Sequence, residues 1–199
     1  GNGNRLVCTA AAAGSAFEGR GGCGATGAER IAAIAYLLEK GIVDGTGLLQ
    51  EPYFETGIEV ETGRGGKVRI LKEDVRDIQM AKAAVRAGIH FLLEHLEVEG
   101  YEEIEKVYIA GGFGFYLDKM AAAQIGLIPF ELTDKIEMVG NTSLAGARLA
   151  ARELLKDDTG TDAGLMSWLE NAAGKAEVFQ LAEEASFKRV YVDYMGFEV

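Results

Sequence analysis

Val107-Tyr108-Ile109-Ala110-Gly111-Gly112-Phe113-Gly114 is a short apolar strand that stops at two glycines, with a third glycine after Phe113. In open α/β sheets ligands bind beside the carboxyl ends of strands, where such a turn bares backbone N–H groups. With no Cβ atoms, Gly111 and Gly112 let a flat ring or a ribose lie against the main chain. The same glycines also suit tight packing of a strand on a helix, so the segment alone leaves both readings open. It is not a Gly-x-Gly-x-x-Gly fingerprint, which excludes that loop for this segment, and no Gly-x-x-x-x-Gly-Lys-Ser/Thr loop occurs in the chain.

Working outward, a second segment repeats the pattern. Val139-Gly140-Asn141-Thr142-Ser143-Leu144-Ala145-Gly146-Ala147 runs from strand to glycine to helix start. Asn141 is the expected N-cap, with the Thr142 and Ser143 hydroxyls beside it. A helix start of this kind can hold an anion, or can be simply a capped, close-packed end. A third segment, Gly14-Ser15-Ala16-Phe17-Glu18-Gly19 and on to Gly24, is glycine-rich enough to be a loop that approaches something closely. Glu18 there suits Mg²⁺, water or a helix cap.

The rest of the chain alternates strand and helix patterns, which predicts an α/β layer structure. Residues 5–13 read as a buried strand entering a turn. Thr26-Gly27-Ala28-Glu29 is a capping box ahead of a helix marked by Ile31, Ile34, Ala35 and Leu38 and closed by Gly41. Residues 42–66 carry turn signals, and Val68 to Leu71 is a strand. Val75, Ile78, Ala81, Val85, Ile89, Leu92 and Leu96 mark one face of a helix over about residues 73–97, with Asp74 and Asp77 in its first turn. A helix is expected to begin near Phe115 or Leu117, a strand to span 136–139 and a helix to reach Leu155. Residues 157–162 form a loop, followed by a helix (163–172), a strand (176–181) and a helix (183–195).

Composition bounds the function. The chain has 199 residues, 48% of them apolar, with 27 glycines and 2 prolines, enough for one packed domain or one lobe of a larger protein. A net charge of −11 disfavours nucleic acid as a partner, yet leaves a small phosphate ligand open because backbone N–H groups set the local field. Cys8 and Cys23 form no Cys-x-x-Cys pair, so two buried thiols are expected, not a disulfide framework, a zinc site or an iron–sulfur site. No apolar run reaches the ~18 residues that span a bilayer, and the polar start lacks signal-peptide character, so a cytoplasmic location is expected. His90 and His95 are five apart on the long helix, which is the wrong spacing for a helical metal pair. Both are expected to be solvated or packed.

Taken in order, Ala12-Ala13-Gly14-Ser15-Ala16-Phe17-Glu18-Gly19, the Val107–Gly114 segment and Gly140-Asn141-Thr142-Ser143-Leu144-Ala145-Gly146-Ala147 resemble the C-terminal ATPase region of the reductive activators of corrinoid proteins. That family lies in the acetate and sugar kinase/heat-shock/actin superfamily. Asp74 to Ala84 and the tail from Val178 to Phe197 also look like it. The resemblance implies an actin-like ATPase (ribonuclease H-like) lobe with a mixed sheet and flanking helices, formed by residues 1–199 as a single C-terminal lobe of a longer iron–sulfur protein. It implies ATP or ADP with Mg²⁺ as ligand in the complete protein, and a [2Fe–2S] cluster in an N-terminal domain outside this chain. It implies a corrinoid protein of a methyltransferase system as partner, re-reduced from Co(II) to Co(I), with a homodimer as a further possibility.

On that resemblance Gly111, Gly112, Phe113 and Gly114 match the adenosine motif, and Gly140, Asn141 and Ser143 lie beside it. Gly14, Ser15 and Glu18 belong to the loop after the second phosphate hairpin. A strand-borne Asp-x-Gly phosphate hairpin of the kind typical of the superfamily is not visible in the chain, and family members often have proline where Ser15 stands. ATP turnover is therefore expected of a complete protein and not of this chain alone. Two other classes compete: a non-enzymatic binding or dimerisation module, and a lobe of a small-molecule kinase of the same superfamily.

Overall fold

The structure is a computed structural model, and it describes residues 26–61, 67–156 and 163–197. The expected strand at 5–13, the Gly14–Gly24 loop with Ser15 and Glu18, both cysteines and the 157–162 loop lie outside the described residues.

Helix α1, Gly27–Glu39, begins at the capping box foreseen in the sequence. The Glu29 backbone N–H donates to Thr26 Oγ1 (3.3 Å), and the Thr26 N–H donates to Glu29 Oε2 (2.9 Å). Two unpaired donors of a helix start are thereby satisfied reciprocally. Strands β1 (Ile58–Glu61) and β2 (Lys67–Ile70) pair antiparallel, Ile58 opposite Ile70. Helix α2 runs from Lys72 to His95. Strand β3 (Val107–Ala110) leads into a short α3 (Gly112–Tyr116) and then α4 (Lys119–Gln124). Strand β4 (Ile136–Gly140) pairs parallel with β3, Val107 opposite Ile136 and Ile109 opposite Met138. Helices α5 (Thr142–Lys156), α6 (Ala163–Gly174) and α7 (Phe187–Asp193) complete the order. The α/β class holds, with one antiparallel and one parallel strand pair among the described residues.

Three expectations are corrected. The helix after the glycines starts earlier, at Gly112, and is cut in two because Asp118 caps a new start, accepting from the N–H groups of Met120 (2.8 Å) and Ala121 (2.9 Å). The expected strand at 176–181 is not one. A strand needs a ladder partner, and here Phe179 and Leu181 instead pack on Ala87, Phe91 and Val190, a small second core between α2 and α7. A single turn follows at Leu181–Glu183, so the last helix starts at Phe187 and not at 183.

The main core forms where α1 lays Ile31, Ile34, Leu37 and Leu38 against Val43, Leu49, Ile70, Val75, Ile78, Leu117 and Ile125. One face of the β3–β4 pair, Val107, Ile109, Ile136 and Met138, packs on this cluster. Buried polar side chains then stitch the chain end to α2. Gln79 Nε2 donates to the carbonyls of Thr46 (2.9 Å) and Met195 (3.0 Å), and Lys82 Nζ donates to the carbonyl of Gly196. The Phe197 N–H donates to the Gly45 carbonyl (2.7 Å), which seats Phe197 in the core. The buried Gln79 and Lys82 side chains thus find carbonyl partners, as burial requires.

The turn at Asp44 is held by one carboxylate. Asp44 Oδ1 accepts from Thr46 Oγ1 (2.6 Å), Thr46 N–H (2.9 Å) and Leu48 N–H (3.0 Å). The Thr46 hydroxyl first, then the Leu48 N–H, hold its pKa below the ordinary carboxylate value. A carboxyl with a depressed folded-state pKa contributes stability that is present above its unfolded pKa, about 3.9, and is lost as pH falls through the lower folded value. The stability of the wild-type chain, followed by thermal unfolding, should therefore decline in the acid range more steeply than that of Asp44→Asn.

Candidate functional site

The two glycine turns that stand apart in the sequence meet in the fold. Parallel pairing places Ala110 beside Gly140, and the Gly111 N–H donates to the Gly140 carbonyl at 2.7 Å. Gly111 (φ 97°) and Gly140 (φ 66°) both lie in the left-handed region, where side-chain-bearing residues are strained. Conformation alone therefore accounts for glycine at these two positions.

Gly112 and Gly114 separate two roles that the sequence left merged. A Cβ built on Gly114 would lie 2.5 Å from Ile109 Cγ2 and 3.4 Å from the Ile109 carbonyl atoms. Gly114 is therefore the packing glycine, letting α3 press on β3. A Cβ on Gly112 meets nothing within 4 Å, and no positive φ demands glycine there. Among the described residues neither packing nor backbone conformation accounts for Gly112, and the space above it is open. Phe113 beside it is 38% exposed.

The difference makes a prediction. Ile109 is branched at Cβ and stiff in its rotamer, so it cannot swing away from a methyl group at residue 114. Gly114→Ala should cost about 1–3 kcal/mol, the range for overpacking, read from the shift in a denaturant unfolding midpoint.

At the second turn Asn141 is the N-cap the sequence foresaw: its Oδ1 accepts from the Leu144 N–H at 3.0 Å. Ser143 is exposed in the first turn of α5. The described site thus joins Gly111, Gly112 and Phe113 to Gly140, Asn141 and Ser143, while Gly14, Ser15 and Glu18 lie outside the described residues.

Sequence reading missed the surroundings. Arg30 Nη1 of α1 donates to Asp74 Oδ1 of α2 at 2.6 Å, and Asp74 Oδ2 accepts from the Leu71 N–H (3.0 Å). By position in the sequence Asp74 shows only as a charge suited to the helix dipole. Lys106 Nζ donates to Glu137 Oε2 (2.9 Å) across the strand pair, and this hydrogen bond raises the lysine's pKa. A four-residue burial alternation in β3 turns Tyr108 outward, a signal that the apolar reading of the strand hid.

His90 and His95 pack against rings, His90 edge-on to Phe91 (centroids 5.2 Å apart) and His95 tilted on Phe179 (4.8 Å). Among the described residues no group of three His, Cys, Asp or Glu side chains is placed to hold a metal ion, and no helix is long and apolar enough to cross a membrane.

Comparisons with known proteins agree with one another. A family model described as the C-terminal domain of RACo, the ASKHA domain, matches residues 20–198. The corrinoid activation enzyme RamQ of Eubacterium limosum is 36% identical over 97 residues, covering 49% of this chain and 16% of that protein. The [Co(II) methylated amine-specific corrinoid protein] reductase of Methanosarcina barkeri is 33% identical over 125 residues, covering 63% of this chain and 21% of the relative. Among solved structures, a reductive activator for corrinoid, iron–sulfur protein superposes with a TM-score of 0.66 at 29% identity, covering 84% of this chain and 27% of that one. The matched region is thus about a fifth of the length of the curated relatives.

Proposed function

The chain belongs to the family of the RACo C-terminal ASKHA domain, and from this premise we propose that it is the nucleotide-binding lobe of an ATP-dependent reductive activator, one that returns a corrinoid protein from Co(II) to Co(I). The observation that carries the reading is the open space over Gly112, a glycine that neither backbone conformation nor packing among the described residues requires. In this reading the bare main chain at Gly111 and Gly112 admits the flat face of adenosine. Phe113 offers an exposed ring at the same turn. Gly140, Asn141 and Ser143 present the start of α5 beside it, where the helix dipole favours an anion.

The phosphate side and Mg²⁺ fall to the loop of Gly14, Ser15 and Glu18 and to residues of a longer protein. Bound ATP supplies the free energy for an uphill one-electron transfer. The electron comes from a [2Fe–2S] domain elsewhere in that protein, and the corrinoid cobalt takes it up. The lobe's own part is to bind and orient the nucleotide. A homodimer through the exposed apolar side of α6, where Trp168 is 66% and Leu169 40% exposed, is the companion proposal, tested by light scattering.

The functional test uses the complete protein that carries this lobe, a corrinoid protein in the Co(II) state and a chemical reductant. Absorbance follows the appearance of Co(I). Reduction should require Mg-ATP. Equal rates with and without nucleotide would sink the activator reading.

A further inference from the structure

Residues 187–197 are fastened to the fold by few buried side chains and several main-chain ties. Helix α7 runs back along α2: the Phe187 ring lies 6.1 Å from that of Phe91, and the Tyr194 ring 6.1 Å from that of His90. Beyond it the Met195 carbonyl accepts from Gln79 Nε2 (3.0 Å), and the Gly196 carbonyl accepts from Lys82 Nζ. Of these eleven positions only Val190 and Phe197 are buried.

Helix α7 has little stability of its own. It has 7 residues, and isolated helices shorter than about 12 residues are marginal in water. Its N-cap residue, Ser186, makes no side-chain cap hydrogen bond, so the first turn lacks the usual partner for its donors. Its charges also oppose the helix dipole. Lys188 and Arg189 stand in the first turn and Asp193 at the last position, the reverse of the favourable arrangement. The segment is therefore helical because it is docked, and loss of docking removes the helix with it. That coupling makes a local cooperative unit.

The far end of the segment closes on a turn that one carboxylate organises. Asp44 Oδ1 accepts from the N–H groups of Thr46 and Leu48. The same turn offers the Gly45 carbonyl to the Phe197 N–H (2.7 Å) and the Thr46 carbonyl to Gln79 Nε2 (2.9 Å). Gln79 thus holds the turn and the chain end with one amide group.

We propose that residues 187–197 are a strap that opens as one unit without global unfolding, and that the Asp44 turn is its catch. Closed, the strap ties α2 to the turn and covers Ala87 and Phe91. Open, it hands Gln79 and Lys82 to water, so opening leaves no polar group buried without a partner, the costly alternative. The device is independent of the nucleotide site.

Native-state hydrogen exchange of the complete protein, read by mass spectrometry, tests both parts. Peptides covering 187–197 should exchange together and at least about tenfold faster than those of α1. Lys188→Glu combined with Arg189→Glu places favourable charge in the first turn of α7. It should slow the strap about two- to fivefold and leave α1 unchanged. Asp44→Ala, and more weakly Asp44→Asn, should speed exchange of the distant strap by a larger factor than that of α1. Strap peptides exchanging at the rate of α1, or unmoved by the charge reversal, would overturn the separate unit. An Asp44 substitution that speeds strap and α1 equally, or alters only the peptides around residue 44, would overturn the catch.

Discussion

Asp74→Ala is expected to destabilise the fold by about 3 kcal/mol, the low end of the cost of breaking a buried ion pair from one side. The carboxylate holds two elements at once. Oδ1 accepts from Arg30 Nη1, and Oδ2 accepts from the Leu71 N–H at the start of α2. The side chains of Arg30 and Asp74 are only 9% and 15% exposed. Truncating Asp74 leaves the guanidinium buried without its counter-charge, and Arg30 Nε already has no hydrogen-bond partner. It also unpairs a helix N-cap, itself worth about 1 kcal/mol. Arg30→Met should cost less, because an apolar chain of similar length fills the site while Asp74 keeps the Leu71 N–H. Chemical unfolding of the two variants separates these cases. Equal losses would mean that the burial of charge is not the source of the effect.

The second large effect is functional. Gly112→Val should leave stability within about 1 kcal/mol of wild type, since valine has a better helix propensity than the glycine it replaces and its Cβ meets none of the described residues. The same side chain would stand where the proposed adenosine lies against the main chain. Nucleotide affinity should therefore fall by at least about tenfold, equivalent to about 1.4 kcal/mol. If Gly112 served packing instead, Val would cost about 1–3 kcal/mol of folding free energy and no binding would be lost. Comparison with Gly114→Ala sharpens the contrast, because that glycine sits against Ile109 and should show the opposite pattern.

Local chemistry was the legible part of the sequence. The capping box at Thr26 and Glu29, the one-sided apolar stripe of α2 and the Asn141 cap each depend on residues within a few positions of one another. The two caps stand in the fold as read, while the buried face of α2 keeps Val75 and Ile78 but turns toward Gln79, Lys82, Ala83, Arg86, Ala87 and Phe91, leaving Ala81, Val85, Ile89, Leu92 and Leu96 half-buried. The order of the glycine segments carried the family resemblance, which the match over residues 20–198 bears out. What could not be read depends on partners far away in the chain. Arg30 and Asp74 are 44 residues apart, and Gln79 reaches Met195 across 116. No pattern within a window reports such pairs. The 176–181 stretch failed for the same reason. Its Val178, Phe179 and Leu181 suit a strand, but the choice between ladder and core depends on what lies opposite, and there it is Phe91 and Val190. The glycine turn could be located but not divided. Only the surroundings in three dimensions distinguish Gly114, which packs on Ile109, from Gly112, which faces open space.

The most direct test of a nucleotide site at the paired glycine turns is a calorimetric titration of Mg-ATP into the complete protein and into its Gly112→Val variant. Saturable binding by the wild type is predicted, with stabilisation of about 2.7 kcal/mol when ligand stands at 100 times its dissociation constant, and a markedly weaker isotherm for an equally stable variant. Identical isotherms for the two proteins would contradict the site.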